Sequence, residues 1–155
     1  MIPRLFVCLV LLSLFPTTSG AQNITAGDPD SVVKAMQEIG YRAELKKDGE
    51  GDPMIASAAG GYKFVVFFYG CEEGATCDTF QFHSSFNADG EVTDEAINDW
   101  NSKRRFAKAY FDDEKDVVLV MDIVMIEAGL SDTVFREAMS IWEDRLTTFA
   151  KEIGF

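Results

Sequence analysis

The sequence predicts an α+β domain in which an antiparallel sheet of about five to six strands carries three helices, packed mainly on one side. Strand and helix patterns follow one another in the order helix, four strands, helix, two strands and helix. The segment Tyr62–Tyr69 is rich in β-branched and aromatic residues on both faces, which is typical of a central strand. The last helix carries an apolar stripe made of two rows, Phe135, Trp142 and Phe149, and Met139, Leu146 and Ile153.

The first helix is predicted to begin at Asp28 and Pro29, because Asp caps free N–H groups and Pro fits the first helical position. Gly40 is predicted to end this helix. Two short strands, residues 42–46 and 54–58, follow on either side of a turn-forming cluster. The domain therefore opens with one helix and a pair of short strands.

Tyr62–Tyr69 and Thr79–Phe86 are predicted to form a hairpin. Because Tyr62–Tyr69 is apolar on both faces, we expect other parts of the protein to pack on each side of it. Thr79–Phe86 alternates, which indicates a half-buried strand. Its apolar side chains are Phe80, Phe82 and Phe86, and its polar ones are Gln81, His83 and Ser85.

The second half of the domain contains two further helices and two further strands. Thr93 is predicted to cap the second helix, and Ser131 is predicted to cap the last one, which runs to about residue 152. Between these helices, residues 106–111 and 117–126 are predicted strands. The second of these strands is apolar on both faces apart from Asp122.

The chain begins with the three parts of an export signal. Arg4 supplies a positive charge, residues 5–15 form an almost unbroken apolar run, and the small residues Ser19 and Ala21 fit a signal peptidase site. The apolar run is shorter than the roughly 20 residues that span a bilayer, so a membrane anchor is the weaker alternative. We therefore expect a signal peptide over residues 1–21, cleavage after Ala21, a periplasmic or secreted protein, and no stable membrane insertion after cleavage.

The remaining chain is predicted to comprise a short polar arm, residues 22–27, and one domain, residues 28–155. This length suits one hydrophobic core and is too short for two. The whole sequence has 14 Lys and Arg against 26 Asp and Glu, a formal net charge of −12. An acidic domain repels phosphate backbones, so we expect no nucleic-acid partner.

Two of the three cysteines, Cys71 and Cys77, lie outside the predicted signal, at the tip of the hairpin. In an oxidising compartment an isolated pair usually forms a disulfide, and cross-strand neighbours can come close enough for one. A redox-active role would favour a Cys-x-x-Cys motif, which the sequence lacks. We predict a structural disulfide between Cys71 and Cys77.

His83 and Asp122 are weak candidates for a site. His83 is the only histidine, and with Ser84 or Ser85 it could form part of a hydrolytic triad, but no Gly-x-Ser-x-Gly elbow surrounds either serine. We interpret His83 as a surface residue. Asp122 would be a site candidate if it were buried, whereas the favoured interpretation is that it faces water or pairs with Lys or Arg on a neighbouring strand.

Two acidic clusters, residues 48–52 and 112–116, resemble calcium-binding loops. Neither has the twelve-residue ligand pattern with a closing Glu, so both are interpreted as solvated turns. The two cysteines have no second pair of ligands at a spacing suited to zinc. We therefore predict neither a metal nor a cofactor.

Residues 97–101 (INDWN), followed by residues 106–110 (FAKAY), are similar to a stretch of the YbjN-like proteins, which are described as bacterial sensory transduction regulators. The similarity extends from Val32 to about Phe149. It implies a fold like that of type III secretion chaperones, and no catalytic residues can be carried over from it. The motif residues it marks as structural or interaction positions are Asn98, Trp100 and Asn101.

These observations lead to a ranking of functions. The first is an exported, non-enzymatic YbjN-like domain that binds a protein or peptide in the cell envelope, in a chaperone-like or regulatory role, or that self-associates. The alternative is a sensory domain that binds a small ligand in an apolar pocket between the sheet and the last helix. An enzyme ranks third, because it would need a cleft that brings His83 or Asp122 to a nucleophile. A regulator label suggests the cytoplasm, and we favour the export signal over that label.

Overall fold

The computed structural model describes residues 23–72, 76–88, 90–125 and 128–155, and the predicted signal peptide lies outside these ranges. The described residues form three helices and six strands in the predicted order, which confirms the α+β class. The elements are α1 (Pro29–Glu38), β1 (Ala43–Lys47), β2 (Pro53–Ala59), β3 (Tyr62–Tyr69), β4 (Thr79–Phe86), α2 (Asp94–Lys103), β5 (Lys108–Phe111), β6 (Val117–Ile123) and α3 (Asp132–Glu152).

The six strands form one antiparallel sheet in the order β1-β2-β3-β4-β6-β5. Strand β6 is inserted between β4 and β5, so the helix α2 connects β4 to the far edge of the sheet. Val65 of β3 is opposite His83 of β4, and His83 is opposite Val120 of β6. The hairpin of β3 and β4 therefore lies in the middle of the sheet, as predicted.

The hydrophobic core lies between one face of the sheet and the three helices. The ring of Trp142 in α3 stacks on Phe82 with 5.5 Å between centroids, and it meets Phe64 edge-on at 5.6 Å. Trp100 of α2 contacts Phe149 of α3 at 4.8 Å. Large rings fill this layer because each removes a large apolar area from water. The predicted stripe of α3 is the face that packs on the sheet.

Two of the three predicted helix caps use their side chains. Thr93 accepts a hydrogen bond from the N–H of Ala96, and Ser131 accepts one from Val134. The prediction that the side chain of Asp28 caps α1 is wrong, because this side chain makes no capping hydrogen bond. Its carbonyl oxygen instead accepts a 2.6 Å bond from the hydroxyl of Ser31, one turn into α1.

The strand boundaries differ from the prediction where the backbone leaves extended geometry. Residues 106–111 were expected to form a strand, but β5 begins only at Lys108. Phe106 has a φ of 76°, a left-handed conformation that a strand cannot contain. Strand β6 ends at Ile123, before the predicted residue 126, which lies outside the described residues.

Candidate partner-binding face

The sheet has a second face that no helix of the described chain covers, and we call it the open face. The buried apolar residues of all three helices belong to the core on the opposite face. On β3, Lys63 and Tyr69 are exposed, and Val65 and Phe67 are half-buried. The expectation that other elements pack on both sides of Tyr62–Tyr69 is therefore wrong for the described residues.

The open face carries apolar residues on both sides of β4, whose own residues on this face, Gln81, His83 and Ser85, are polar. Val118 and Val120 of β6 are buried, yet they do not belong to the hydrophobic core on the helical side. Tyr110 is opposite Val118 in the register of β5 and β6, and Lys108 is opposite Val120. Long side chains of this kind can cover apolar neighbours with their stems. Within the described residues, the apolar side chains of this face are thus shielded by neighbouring side chains rather than by helices.

His83 lies on the open face in contact with an aromatic ring. Its imidazole meets Phe67 edge-on, with 5.2 Å between ring centroids. Burial lowers the pKa of His83 below its usual value of 6.5, because the charged form loses hydration. Ser84 is buried on the helical side, where its hydroxyl donates to the carbonyl oxygen of Lys63 at 2.9 Å. The structure therefore does not bring His83 and Ser84 together.

Asp122 lies in a polar network at one end of the open face. Its side chain is 61% exposed, and one carboxylate oxygen lies 3.4 Å from the Nζ of Lys108 on the neighbouring strand β5. The other oxygen accepts a hydrogen bond from Gln81, whose Oε1 accepts one from the hydroxyl of Tyr69. This arrangement agrees with the favoured interpretation of an exposed, paired aspartate. An exposed pair of this kind contributes about 1 kcal/mol or less.

The motif residues of α2 have three different surroundings. Trp100 is buried in the core, and Asn98 is exposed. The side-chain amide of Asn101 bonds the main chain of Ala109 in β5. Ala109 is close because the chain turns back at Phe106, which no local pattern in the sequence revealed.

The two cysteines outside the predicted signal form a disulfide, Cys71–Cys77, beyond the end of the β3–β4 hairpin. The N–H of Glu72 donates to the carbonyl oxygen of Thr76 at 2.8 Å beside it. Residues 73–75, between these partners, lie outside the described residues. A covalent link at this position holds the ends of the two central strands in register.

The acidic clusters are turns whose carboxylates bond their own main chain. Asp48 Oδ1 accepts bonds from the N–H groups of residues 50, 51 and 52, at 2.9 to 3.0 Å. Asp112 Oδ1 accepts bonds from residues 114 and 116. Within the described ranges, no group of three or more His, Cys, Asp or Glu side chains could hold a metal ion.

The fold and the open face define a small α+β domain in which the helices of the described residues cover one side of the sheet. The chain belongs to the YbjN family, whose model, described as "Putative bacterial sensory transduction regulator", matches residues 28–155. No curated protein matches the chain. None of the three helices in the described part combines the length and apolar character of a transmembrane helix.

Proposed function

We propose that this protein is an exported, non-enzymatic YbjN-family domain that binds another protein or peptide through the open face of its sheet, in a regulatory or chaperone-like role. The family description supports the regulatory class. The observation that carries the proposal is that no helix of the described chain covers the open face, which holds the half-buried Val65 and Phe67 and the exposed Tyr69 and Tyr110. Partly exposed apolar residues with a polar rim are typical of protein interaction sites.

Two tyrosines offer the first contacts to a partner. Tyr69 on β3 is 47% exposed, and Tyr110 on β5 is 42% exposed. Tyrosine is frequent among the residues that dominate binding energy, because its ring is large and its hydroxyl can stay hydrated. The half-buried Val65 and Phe67 lie on the same face. A partner segment with apolar side chains would gain binding energy by covering the valine and phenylalanine between the two tyrosines.

The polar network of Gln81, Asp122 and Lys108 lies at the rim of this surface. Its groups are exposed, so a partner can bond them without leaving a buried charge unpaired. The expected partner segment is therefore apolar in the middle and polar at the end that meets Asp122.

Export is supported by the apolar leader, residues 5–15, and by the Cys71–Cys77 disulfide, which fits an oxidising compartment. Intact mass, with and without reduction, tests this on protein recovered from the cell envelope. We expect a chain that starts at Gln22 and gains the mass of two hydrogens on reduction. A full-length mass with free thiols would place the protein in the cytoplasm.

A non-enzymatic role is supported by the surroundings of the site candidates. His83 packs against Phe67, and Ser84 faces the core. The alternative of an apolar ligand pocket between the sheet and the last helix gains no support, because the stacked rings of Phe82 and Trp142 occupy that layer. A purified protein that binds a partner chain without turning over any substrate would be the expected behaviour.

Site-specific photocrosslinking in the cell envelope tests the binding face. A photoreactive residue at position 69 or 110 should yield the same crosslinked partner, whereas one at Val134, which is exposed on α3, should not. With that partner purified, the double variant Tyr69→Ala/Tyr110→Ala should weaken binding by about tenfold or more, and Val134→Ala should leave it unchanged. Crosslinking of the partner from position 134 alone would show that the helical side binds it.

A further inference from the structure

Strand β1 has an outer edge with main-chain groups that no strand of the described chain pairs. It lies at one end of the sheet and pairs only with β2. Gln37 donates a 3.0 Å bond to the carbonyl oxygen of Ala43, so Ala43 directs its main-chain groups outward. Because these groups alternate along a strand, Leu45 and Lys47 also direct theirs outward. An edge of this kind can accept another strand.

We propose that β1 pairs antiparallel with β1 of a second copy of this chain, about a twofold axis at Leu45, to join two six-stranded sheets. In this register the outward groups of Leu45 bond those of Leu45 in the second copy. The outward main-chain groups of Ala43 in each copy bond those of Lys47 in the other copy. The carbonyl oxygen of Ala43 has two lone pairs, so it can accept from Gln37 and from the second strand.

Charges select this register. Glu44 and Lys46 are exposed, and Lys46 Nζ lies 3.3 Å from Glu44 Oε2 within one copy. Across the proposed axis, Glu44 of each copy is opposite Lys46 of the other, so four charges of alternating sign meet. An axis at Glu44 would instead oppose two glutamates, and an axis at Lys46 would oppose two lysines. Like charges directly opposite one another destabilise a strand pair.

The strand is also where two acidic molecules can approach each other. The chain has a net charge of −12, but residues 42–47 hold three basic side chains and one acidic one. Local charge of opposite sign to the rest of the surface reduces the repulsion between two copies at this edge. Of the two edge strands among the described residues, β5 has both main-chain groups of Ala109 bonded by Asn101, whereas in β1 Gln37 bonds the carbonyl oxygen of Ala43.

Leu45 adds an apolar contact at the axis. Its side chain is 40% exposed and points to the helical side, like the buried Ala43. A recess of about 460 Å³, lined in part by Leu45, Pro29 and Pro53, lies beside it. Leu45 of the second copy would enter this recess and bury apolar surface of both copies. The two open faces would then lie on the same side of one continuous sheet.

The test is sedimentation velocity over a wide concentration range, with charge variants of the whole protein. We expect a reversible dimer that each of Glu44→Lys and Lys46→Glu weakens by about tenfold or more. The double variant Glu44→Lys/Lys46→Glu should restore it, because the swap recreates both opposite pairs. These residues are exposed, so folding should be unaffected. A protein that stays monomeric at every concentration, or a dimer that the single variants do not weaken, overturns the proposal.

A cysteine at the axis reports the register directly. Residues in a bonded antiparallel pair have Cα atoms about 5.5 Å apart, within the range of a disulfide. Leu45→Cys should therefore link two chains on mild oxidation, and tryptic digestion should yield residues 43–46 joined to themselves. Val134→Cys, on an exposed face of α3, should not. Equal linking of both variants would mean random collision and would refute the pairing. Neither experiment involves another protein, so its outcome is separate from that of the partner-binding proposal.

Discussion

The side-chain amide of Asn101 pairs with the main chain of Ala109 through two hydrogen bonds. Its Nδ2 donates to the carbonyl oxygen of Ala109, and its Oδ1 accepts from the N–H of Ala109, each at 2.9 Å. One side chain thus makes the bonds that an adjacent strand would make. This pairing ties the C-terminal turn of α2 to the edge strand β5 and blocks part of that edge.

Asn101→Ala is expected to lower the free energy of unfolding by about 2 kcal/mol, because the substitution removes two hydrogen bonds and leaves the groups of Ala109 unpaired. Urea unfolding measures this change. Hydrogen exchange should show a faster-exchanging amide at Ala109.

Asn98→Ala is the matched control for that prediction. Asn98 belongs to the same motif and the same helix, but it is exposed. Its replacement should change stability by about 0.5 kcal/mol or less. Equal losses from both variants would mean that the effect belongs to the helix rather than to the pairing with Ala109.

Lys115→Gly is expected to stabilise the protein. Lys115 has a φ of 71°, and Gly51 has a φ of 95° at the corresponding position of the β1–β2 turn. In both turns the N–H of this residue donates to the carbonyl oxygen of the first aspartate. Glycine adopts the left-handed conformation without the steric cost of a Cβ atom, so the gain should be about 1 kcal/mol. Thermal unfolding should show a higher Tm.

Glu114→Gly provides the control for the turn. Glu114 has no positive φ, so glycine would only add freedom to the unfolded chain. This variant should be slightly less stable than the parent protein. If both glycine variants lowered the Tm, backbone strain at Lys115 would not contribute to stability.

Tyr41→Phe is expected to reduce the loss of stability at alkaline pH. Burial, and then the hydrogen bond and charge of Glu143, raise the pKa of Tyr41 from 10.0 to about 12. The unfolded chain therefore loses this proton at lower pH than the folded one. The stabilisation is complete below pH 10 and is lost as the pH rises towards 12. Urea unfolding at several pH values from 8 to 12 should give a smaller slope for the variant.

His83→Gln is expected to flatten the pH dependence on the acidic side. Because burial lowers the pKa of His83 in the folded state, the unfolded chain takes up this proton first as the pH falls below about 6.5. The parent protein should therefore lose stability relative to the variant between pH 7 and pH 5. A partner that covers the open face would bury His83 further, so its binding should also weaken over this range.

Equal pH dependence of stability for the parent protein and His83→Gln would contradict a lowered pKa of the half-buried His83. A partner whose binding is independent of pH over the same range would locate its contacts away from His83. The partner obtained by photocrosslinking serves for this measurement.

Local features of the sequence were sufficient to predict where most of the helices and strands lie. Thr93 and Ser131 cap their helices because a hydroxyl reaches an N–H three residues away, and that distance is set within one turn. The strands β3 and β4 have the predicted bounds, since alternation and aromatic content act over a few residues. The start of β5 was misplaced, because the left-handed φ of Phe106 depends on the turn that brings α2 to the sheet.

By itself, the sequence determined the α+β class, the order of elements, the buried stripe of α3 and the family motif, because propensity, periodicity and caps act between near neighbours. Only the tertiary structure decided which sheet face stays open, that β6 separates β4 from β5, and that Asn101 reaches Ala109. These relationships join residues that the chain brings together from different elements. The order of the strands and the choice of the open face depend on how the whole core packs together. No local sequence pattern encodes that packing.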